Sequence, residues 1–255
     1  MKRTIVVIML FLTALVFSCK PDLSTEEAKL NFSIGHQIGT ALKSRPMFNK
    51  DEIIGGIKDA VEGKNPSDEK SRQTGFRIAK GYIDQGIALN VPAFTLGINE
   101  GFDGTEPSVP QQEMSNALSS HQRRMNEKNL KEGAEYLARN KEKPGVKVTP
   151  SGLQYKVLTP GSGPRPRETD KVRVHYTGRL VNGQVFDSSV ARKTPAEFPL
   201  NKVVKGWTEG VQLMNVGSKY ELTLPADLGY GPQGAGSIPG NSVLVFEVEL
   251  LGIVR

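Results

Sequence analysis

The stretch GYGPQGAG, Gly229 to Gly236, carries the spacing G-x-G-x-x-G at Gly229, Gly231 and Gly234. That spacing holds a dinucleotide only where a strand precedes it and a helix comes after, because the helix N-terminus takes the pyrophosphate. An alternating run, YELTLPADL, does precede it. The run on its C-terminal side, SIPGNSVLVFEVELLGIV, has Pro239 and Gly240 where a helix would start and then turns β-rich. Nucleotide chemistry is therefore set aside, and the glycines are expected to shape a loop between two strands. Thiol chemistry and cysteine-based zinc binding fall away too, since Cys19 is the only cysteine and no disulfide can close within one chain. His175 precedes Tyr176 on an alternating run, so the two side chains point to opposite faces. His175 is expected on the surface and is no candidate base for chemistry beside Tyr176.

Cys19 has a different role. It ends MKRTIVVIMLFLTALVFSCK, where Lys2 and Arg3 precede an apolar run, Thr4 to Phe17, too short to span a bilayer comfortably. Small Ser18 before Cys19 resembles the bacterial lipobox, although Val16 and Phe17 depart from its commonest Leu-Ala form. Residues 1–18 are expected to be a lipoprotein-type signal peptide and Cys19 the lipidation site. The mature protein would then sit in the cell envelope, tethered by lipid alone, at the outer membrane facing the periplasm or the surface. No later stretch is apolar enough to cross a membrane. The formal charge of +6 is spread among interspersed acids and bases, without aromatic interleaving, which argues against a nucleic-acid partner.

The elements that must position any site divide the chain in two. Residues 24 to about 143 read helical and 146–255 β-rich, with NKEKPGVKVTPSG stopping the last helix at Pro144 and Gly145. The helical half contains a repeat. IIGGIKDAVEGKNPS (53–67) aligns with FTLGINEGFDGTEPS (94–108) at a constant offset, pairing Gly56 with Gly97, Ile57 with Ile98 and Pro66 with Pro107. Two repeated helical hairpins are expected over residues 19–109. Units of this size cannot bury an apolar face alone and must pair. Residues 110–143 predict a long helix whose sparse apolar positions (Met114, Leu118, Met125, Leu130 and Leu137) suit a mostly solvated spacer.

In the β half, KVRVHYTGRL predicts a strand with Val172, Val174 and Tyr176 on one face, and Asn182-Gly183 predicts a type I′ hairpin turn. Trp207, Val211 and Met214 fall at helical spacing. An antiparallel sheet with one short helix across it is an α+β arrangement.

The segments VHYTGRL, FDSS, VVKGWTEGVQLMNVG and LGYGPQGAGSIPGNSVLVFEVELL, in this order, resemble the FKBP-type peptidyl-prolyl isomerase domain. The lead-in KPGVKVTPSGLQYKVL is similar to the Mip/FkpA subgroup of exported bacterial isomerases. The resemblance implies a helical N-terminal region, a long connecting helix, and an FKBP-like antiparallel sheet wrapped around a short helix over 146–255. It implies catalysis of X-Pro rotation in exported proteins, with no cofactor and no metal. Trp207 would floor the prolyl pocket, and Tyr176, Phe186, Val203, Val204 and Phe246 would wall it. Asp187 would stand at the rim, paired with Arg192. Tyr230 would donate to substrate backbone and Ile238 would close the loop side. Tyr176, Asp187 and Tyr230 are thus the expected catalytic residues, and the remaining six the substrate-binding ones. Ala196, the short segment FPLNKVV and the loop near Ala235 depart from the animal-type domain, which bears on inhibitor affinity and substrate preference.

The rival function is a chaperone or surface module that holds proline-containing segments without turnover. In Mip-like proteins the helical unit pairs with its copy from another chain. With two copies present in one chain, the expectation here is a monomeric pseudo-dimer, with a homodimer as the alternative.

Overall fold

The computed structural model describes residues 20–254; the apolar leader, Ser18 and Cys19 lie outside the described residues. Two compact units emerge, one ending at Ser119 and one beginning at Ser120. Among the described residues no helix is long and apolar enough to cross a membrane.

The first unit contains α1 (Glu26–Lys43), α2 (Lys50–Val61), α3 (Lys70–Asp84), α4 (Val91–Asp103) and the beginning of α5 (Gln111–Asn140). Local sequence starts each of the first four. The side chains of Thr25, Asn49, Glu69 and Asn90 accept the backbone N–H three residues on, satisfying donors that a helix start leaves free. The apolar faces then bury Phe32, Ile53, Ile57, Phe94 and Ile98 completely.

Their pairing departs from hairpins formed within each copy. α1 lies along α4 and α2 along α3, so each helix of one copy packs chiefly against a helix of the other. The repeat-equivalent glycines make this close approach possible. A Cβ on Gly97 would lie 2.1 Å from the Phe32 carbonyl oxygen, and one on Gly56 would lie 1.8 Å from that of Arg72. Across the second pair, Arg72 forks onto Asp59, Nε to Oδ2 at 2.6 Å and Nη2 to Oδ1 at 3.0 Å, and reaches Glu52 at 3.2 Å. The hydrogen bond from Arg72 holds the Asp59 carboxyl below the usual carboxylate range despite burial.

The second unit is α+β. Its antiparallel sheet runs β1 (Val146–Val148), β2 (Gln154–Thr159), β6 (Lys219–Leu224), β7 (Leu244–Val254), β3 (Lys171–Leu180) and β4 (Val185–Ser188) in spatial order, with β5 (Ala196–Pro199) also pairing β3. The short helix α6 (Lys205–Gln212) lies against the sheet: a Cβ on Gly206 or Gly210 would meet Leu224 or Leu222. Val172, Val174 and Tyr176 of β3 are buried, as their alternation requires, together with Trp207, Val211 and Met214.

Two local expectations are corrected. Asn182-Gly183 is not a type I′ turn, which needs positive φ at both residues; only Gly183 has it, at 90°. The Asn182 side chain accepts the Gln184 N–H at 3.0 Å, and the Gly183 N–H donates to Leu180 O at 3.0 Å, closing a wider loop. Nor is the second half of α5 a free spacer. Within the second unit, Gln154 Nε2 donates to Leu137 O, and buried Asn140 donates through Nδ2 to Gln154 Oε1, both at 2.9 Å.

Candidate active site

The site is assembled from strand alternation on one side and a helix start on the other. β3 turns Tyr176 inward. Its antiparallel neighbour β4 brings Phe186 and Asp187 alongside through the register Gly178 to Asp187. From β7, Phe246 stands opposite Gly178. Gly178 has no side chain because that space is taken: a Cβ there would lie 2.6 Å from the Phe186 ring and 2.7 Å from that of Phe246. Val203 and Val204 precede α6, and Trp207 lies in its first turn. The loop between β6 and β7 adds Tyr230 and Ile238.

These nine residues line one cavity of about 700 Å³. Its base is an aromatic cluster. The Trp207 ring meets Tyr176, Phe246 and Phe198 edge to face, at centroid distances of 5.2, 5.4 and 5.7 Å. Such T-shaped pairs add about 0.5–1.5 kcal/mol each beyond area burial, which stabilises this arrangement of the rings. The glycine-rich loop covers one side with Ala235, Gly236, Ser237 and Ile238. Gly234 makes its turn possible, at φ 67°, where a Cβ would lie 2.2 Å from Ile238 O. No helix comes after the loop, so nothing there resembles a pyrophosphate cradle.

One polar network stands at the rim. The Tyr176 hydroxyl donates to Asp187 Oδ2, Arg192 Nη1 donates to Asp187 Oδ1, and Arg192 Nη2 lies 3.3 Å from the Tyr176 hydroxyl. Burial, and then the bond to Asp187, push the Tyr176 hydroxyl above the usual tyrosine range. Burial also works to raise the Asp187 carboxyl, but Tyr176 and Arg192 outweigh it and hold the group below the usual carboxylate range. The network thus presents a protonated phenol and an ionised carboxylate over a wide pH span. Tyr230 is different: it is 40% exposed, and its hydroxyl has no hydrogen-bond partner among the described residues.

Sequence reasoning left out three contributors. Phe198 lines the cavity from β5, a strand of four residues that is too short to show a period in sequence. Lys202 lines the mouth. Ser189, fully buried, holds β3 in place by accepting the Tyr176 N–H at 2.8 Å. His175, expected on the surface, is half buried with Nδ1 3.1 Å from Ser189 Oγ, and it stays outside the cavity. Among the described residues no group of three or more His, Cys, Asp or Glu is placed to hold a metal ion.

Residues 163–251 match the family model described as FKBP-type peptidyl-prolyl cis-trans isomerase, and residues 67–157 match that of the domain amino-terminal to it. A 22 kDa FKBP-type peptidyl-prolyl cis-trans isomerase of Escherichia coli is 41% identical over 237 residues, covering 92% of this chain and 98% of the relative. This chain belongs to the FKBP-type peptidyl-prolyl cis-trans isomerases. The FkpA isomerase of Aeromonas hydrophila is 50% identical over 181 residues, 67% of each chain. The outer membrane protein MIP of Legionella longbeachae is 37% identical over 209 residues, 77% of this chain and 90% of that one. Among solved structures, FkpA from Escherichia coli superposes with a TM-score of 0.54 at 29% identity, covering 73% of this isomerase and 97% of that chain. The amino-terminal family match takes in α3, α4 and α5 and begins after α2, so the first copy of the repeat lies outside it.

Proposed function

We propose that this isomerase acts on X-Pro bonds of exported polypeptides by binding the twisted amide in a dry apolar cavity, without covalent, metal or acid–base chemistry. One observation carries the reading. The lining is predominantly apolar, and its single carboxylate, Asp187, is already engaged by Tyr176 and Arg192. Amide resonance sets a barrier of about 18–20 kcal/mol. When the bond twists, resonance is lost and the carbonyl becomes less polar, so an apolar enclosure disfavours the planar state more than the twisted one. Trp207 is the floor beneath the prolyl ring, with Phe186, Phe246, Val203 and Val204 around it and Ile238 on the loop side. Tyr230 donates its free hydroxyl to substrate backbone. Tyr176 and Asp187, closed on each other and on Arg192, form a fixed wall at the carbonyl end, and because the Tyr176 proton is already held by Asp187 they do not favour the more polar planar amide. Lowering the barrier by about 7 kcal/mol gives roughly 10⁵-fold acceleration.

The test is kcat/KM on a short X-Pro peptide in H₂O and in D₂O. A ratio near one is expected, because no proton moves. A ratio of about two or more would place a proton transfer in the rate-limiting step, and the desolvation reading would be lost.

The proposed setting is the cell envelope, with Cys19 lipidated. Incorporation of labelled palmitate that disappears in Cys19→Ser supports it, and an unlabelled wild-type protein refutes it. The proposed assembly is a monomer. The cross-pairing of α1 with α4 and α2 with α3 within one chain supports this, since each copy of the repeat already has its partner. Light scattering should give one chain mass; twice that mass would overturn the proposal.

A further inference from the structure

The flap between β6 and β7 is held at its neck from outside the sheet. Asn126 of α5 donates through Nδ2 to Pro232 O at 3.0 Å, and Asn129, one turn on, donates through Nδ2 to Gly240 O at 2.9 Å. Gln122 Nε2 donates to Asn126 Oδ1 at 2.8 Å, which fixes the orientation of that amide. In return, Asn241 Nδ2 donates to Asn126 O at 3.3 Å. The fit is tight. Gly240 is buried, and a Cβ on it would lie 2.0 Å from Pro232 O and 2.6 Å from Asn126 Oδ1. One turn further along, a Cβ on Gly133 would lie 2.8 Å from Val243 Cγ2. Asn241 itself adopts the left-handed backbone, φ 58°, and its N–H donates to Gly231 O at 2.9 Å, closing the neck. All of these groups belong to the second compact unit.

Pro232 and Gly240 bracket Ala235 to Ile238, which line the cavity, and Tyr230 lies two residues before Pro232. Inside the bracket the flap's own ladder consists of the two bonds between Ala235 and Ile238. So short an element, rich in glycine, is held by the buried side chain of Ile238 and by what grips its neck. We infer that the second half of α5 is part of the isomerase site, with Asn126 and Asn129 as positioning residues that set the flap, and through it Tyr230 and Ile238, over the substrate. The inference rests on the reading that Tyr230 and Ile238 contact the peptide. It makes the connecting helix a determinant of substrate affinity as well as a link in the chain.

The test uses the full mature chain with Asn126→Asp and Asn129→Asp together. These changes keep side-chain size while removing both donors and setting carboxylates against carbonyl oxygens. Backbone amide exchange at Ala235, Ile238 and Asn241 should quicken by roughly tenfold or more, while the β6 and β7 amides stay unchanged, as expected when a local opening loses about one to two neutral hydrogen bonds. KM for an X-Pro peptide should rise by about three- to tenfold with kcat little altered, because a looser flap weakens ground and transition states alike. Asn126→Ala, which adds no charge, should show the same changes at smaller size and guards against misfolding of the double variant. Tyr230→Phe is the separate control on the underlying reading, and in that background the asparagine changes should cost less than in wild type. Wild-type kinetics in Tyr230→Phe would remove the contact reading. Unchanged flap exchange and KM in both asparagine variants, alongside a defective Tyr230→Phe, would overturn the role of the helix alone.

Discussion

Replacing Asp187 by alanine removes the acceptor for two donors at once, the Tyr176 hydroxyl and Arg192 Nη1. The side chains of Arg192 and Asp187 are 53% and 40% exposed, so their ion pair is screened and its loss costs about 1 kcal/mol of stability at most. The half-buried bond to Tyr176 adds about 1 kcal/mol. The fold should therefore survive with a melting temperature only a few degrees lower. Activity should suffer more. The phenol loses its orientation at the carbonyl end, and kcat/KM is expected to fall about tenfold, equivalent to about 1.4 kcal/mol of transition-state stabilisation. The pH profile carries a sign that can be checked. In the wild type the Asp187 pKa is depressed, so its contribution is present above the ordinary carboxylate pKa and is lost as pH falls through the lower folded value. The Tyr176 pKa is raised, so the network is present below the ordinary phenol pKa and is lost as pH rises through the higher folded value. Activity should be flat between about pH 5 and pH 9, given the ordinary values of these groups. In Asp187→Ala the bond that raises the Tyr176 pKa disappears while Arg192, which lowers it, remains, so the alkaline limb should move to lower pH. The assay is kcat/KM on a chromogenic X-Pro peptide across the pH range. A variant with wild-type kcat/KM and an unmoved alkaline limb would falsify the argument that this network serves the carbonyl end.

Trp207→Ala should destabilise the second unit by about 3–5 kcal/mol, read by denaturant unfolding, because it empties the centre of the aromatic base. As the only tryptophan, Trp207 should also change its fluorescence when a proline peptide binds; a constant spectrum at saturation would take it out of the floor. Lys202 at the cavity mouth has no ion-pair partner among the described residues, so peptides with Glu beside the X-Pro bond should outperform those with Lys by roughly two- to fivefold at low salt. Lys202→Glu should reverse the order, and a preference unaltered by that change excludes the residue from specificity. In the first unit Gly97→Ala should cost about 1–3 kcal/mol or more, since its Cβ would lie 2.1 Å from a carbonyl oxygen. Gly81→Ala, with nothing within 4 Å, should instead gain about 1 kcal/mol. Equal melting shifts for the two would mean that close helix approach does not govern the pairing.

The nine pocket residues were legible because the motifs that carry them resemble the FKBP-type domain, whereas local period and punctuation give only the elements on which some of them stand. Tyr176 is placed by alternation along β3, Trp207 by helical spacing to Val211, and Tyr230 and Ile238 by a loop that glycines and Pro239 keep out of helix. Phe198 sits on a four-residue strand too short to display a period, and Ser189 acts through a hydroxyl on a backbone N–H thirteen residues away in sequence. Neither leaves a pattern. The turn at Asn182-Gly183 read as type I′ from its dipeptide, but the geometry of β3 and β4 spreads the connection over four residues and leaves Asn182 at negative φ.

The sequence by itself determined the kind and order of the elements, while the residues that converge on the cavity were named by the resemblance of its motifs to the FKBP-type domain. Caps, periods and breakers act within a few residues, and local energies suffice to read them. The partners of those elements were decided by tertiary structure. The repeat was visible, yet nothing local distinguishes a helix packed on its own hairpin mate from one packed on the other copy. α1 meets α4 because Gly97 lets their backbones touch. Likewise α5 reads as a solvated arm from its charges, while Asn126 closes on Pro232 across 106 residues of chain. Polar side chains that look solvated in sequence become positioning groups when the fold brings an unpaired carbonyl to them, and only the closed chain does that.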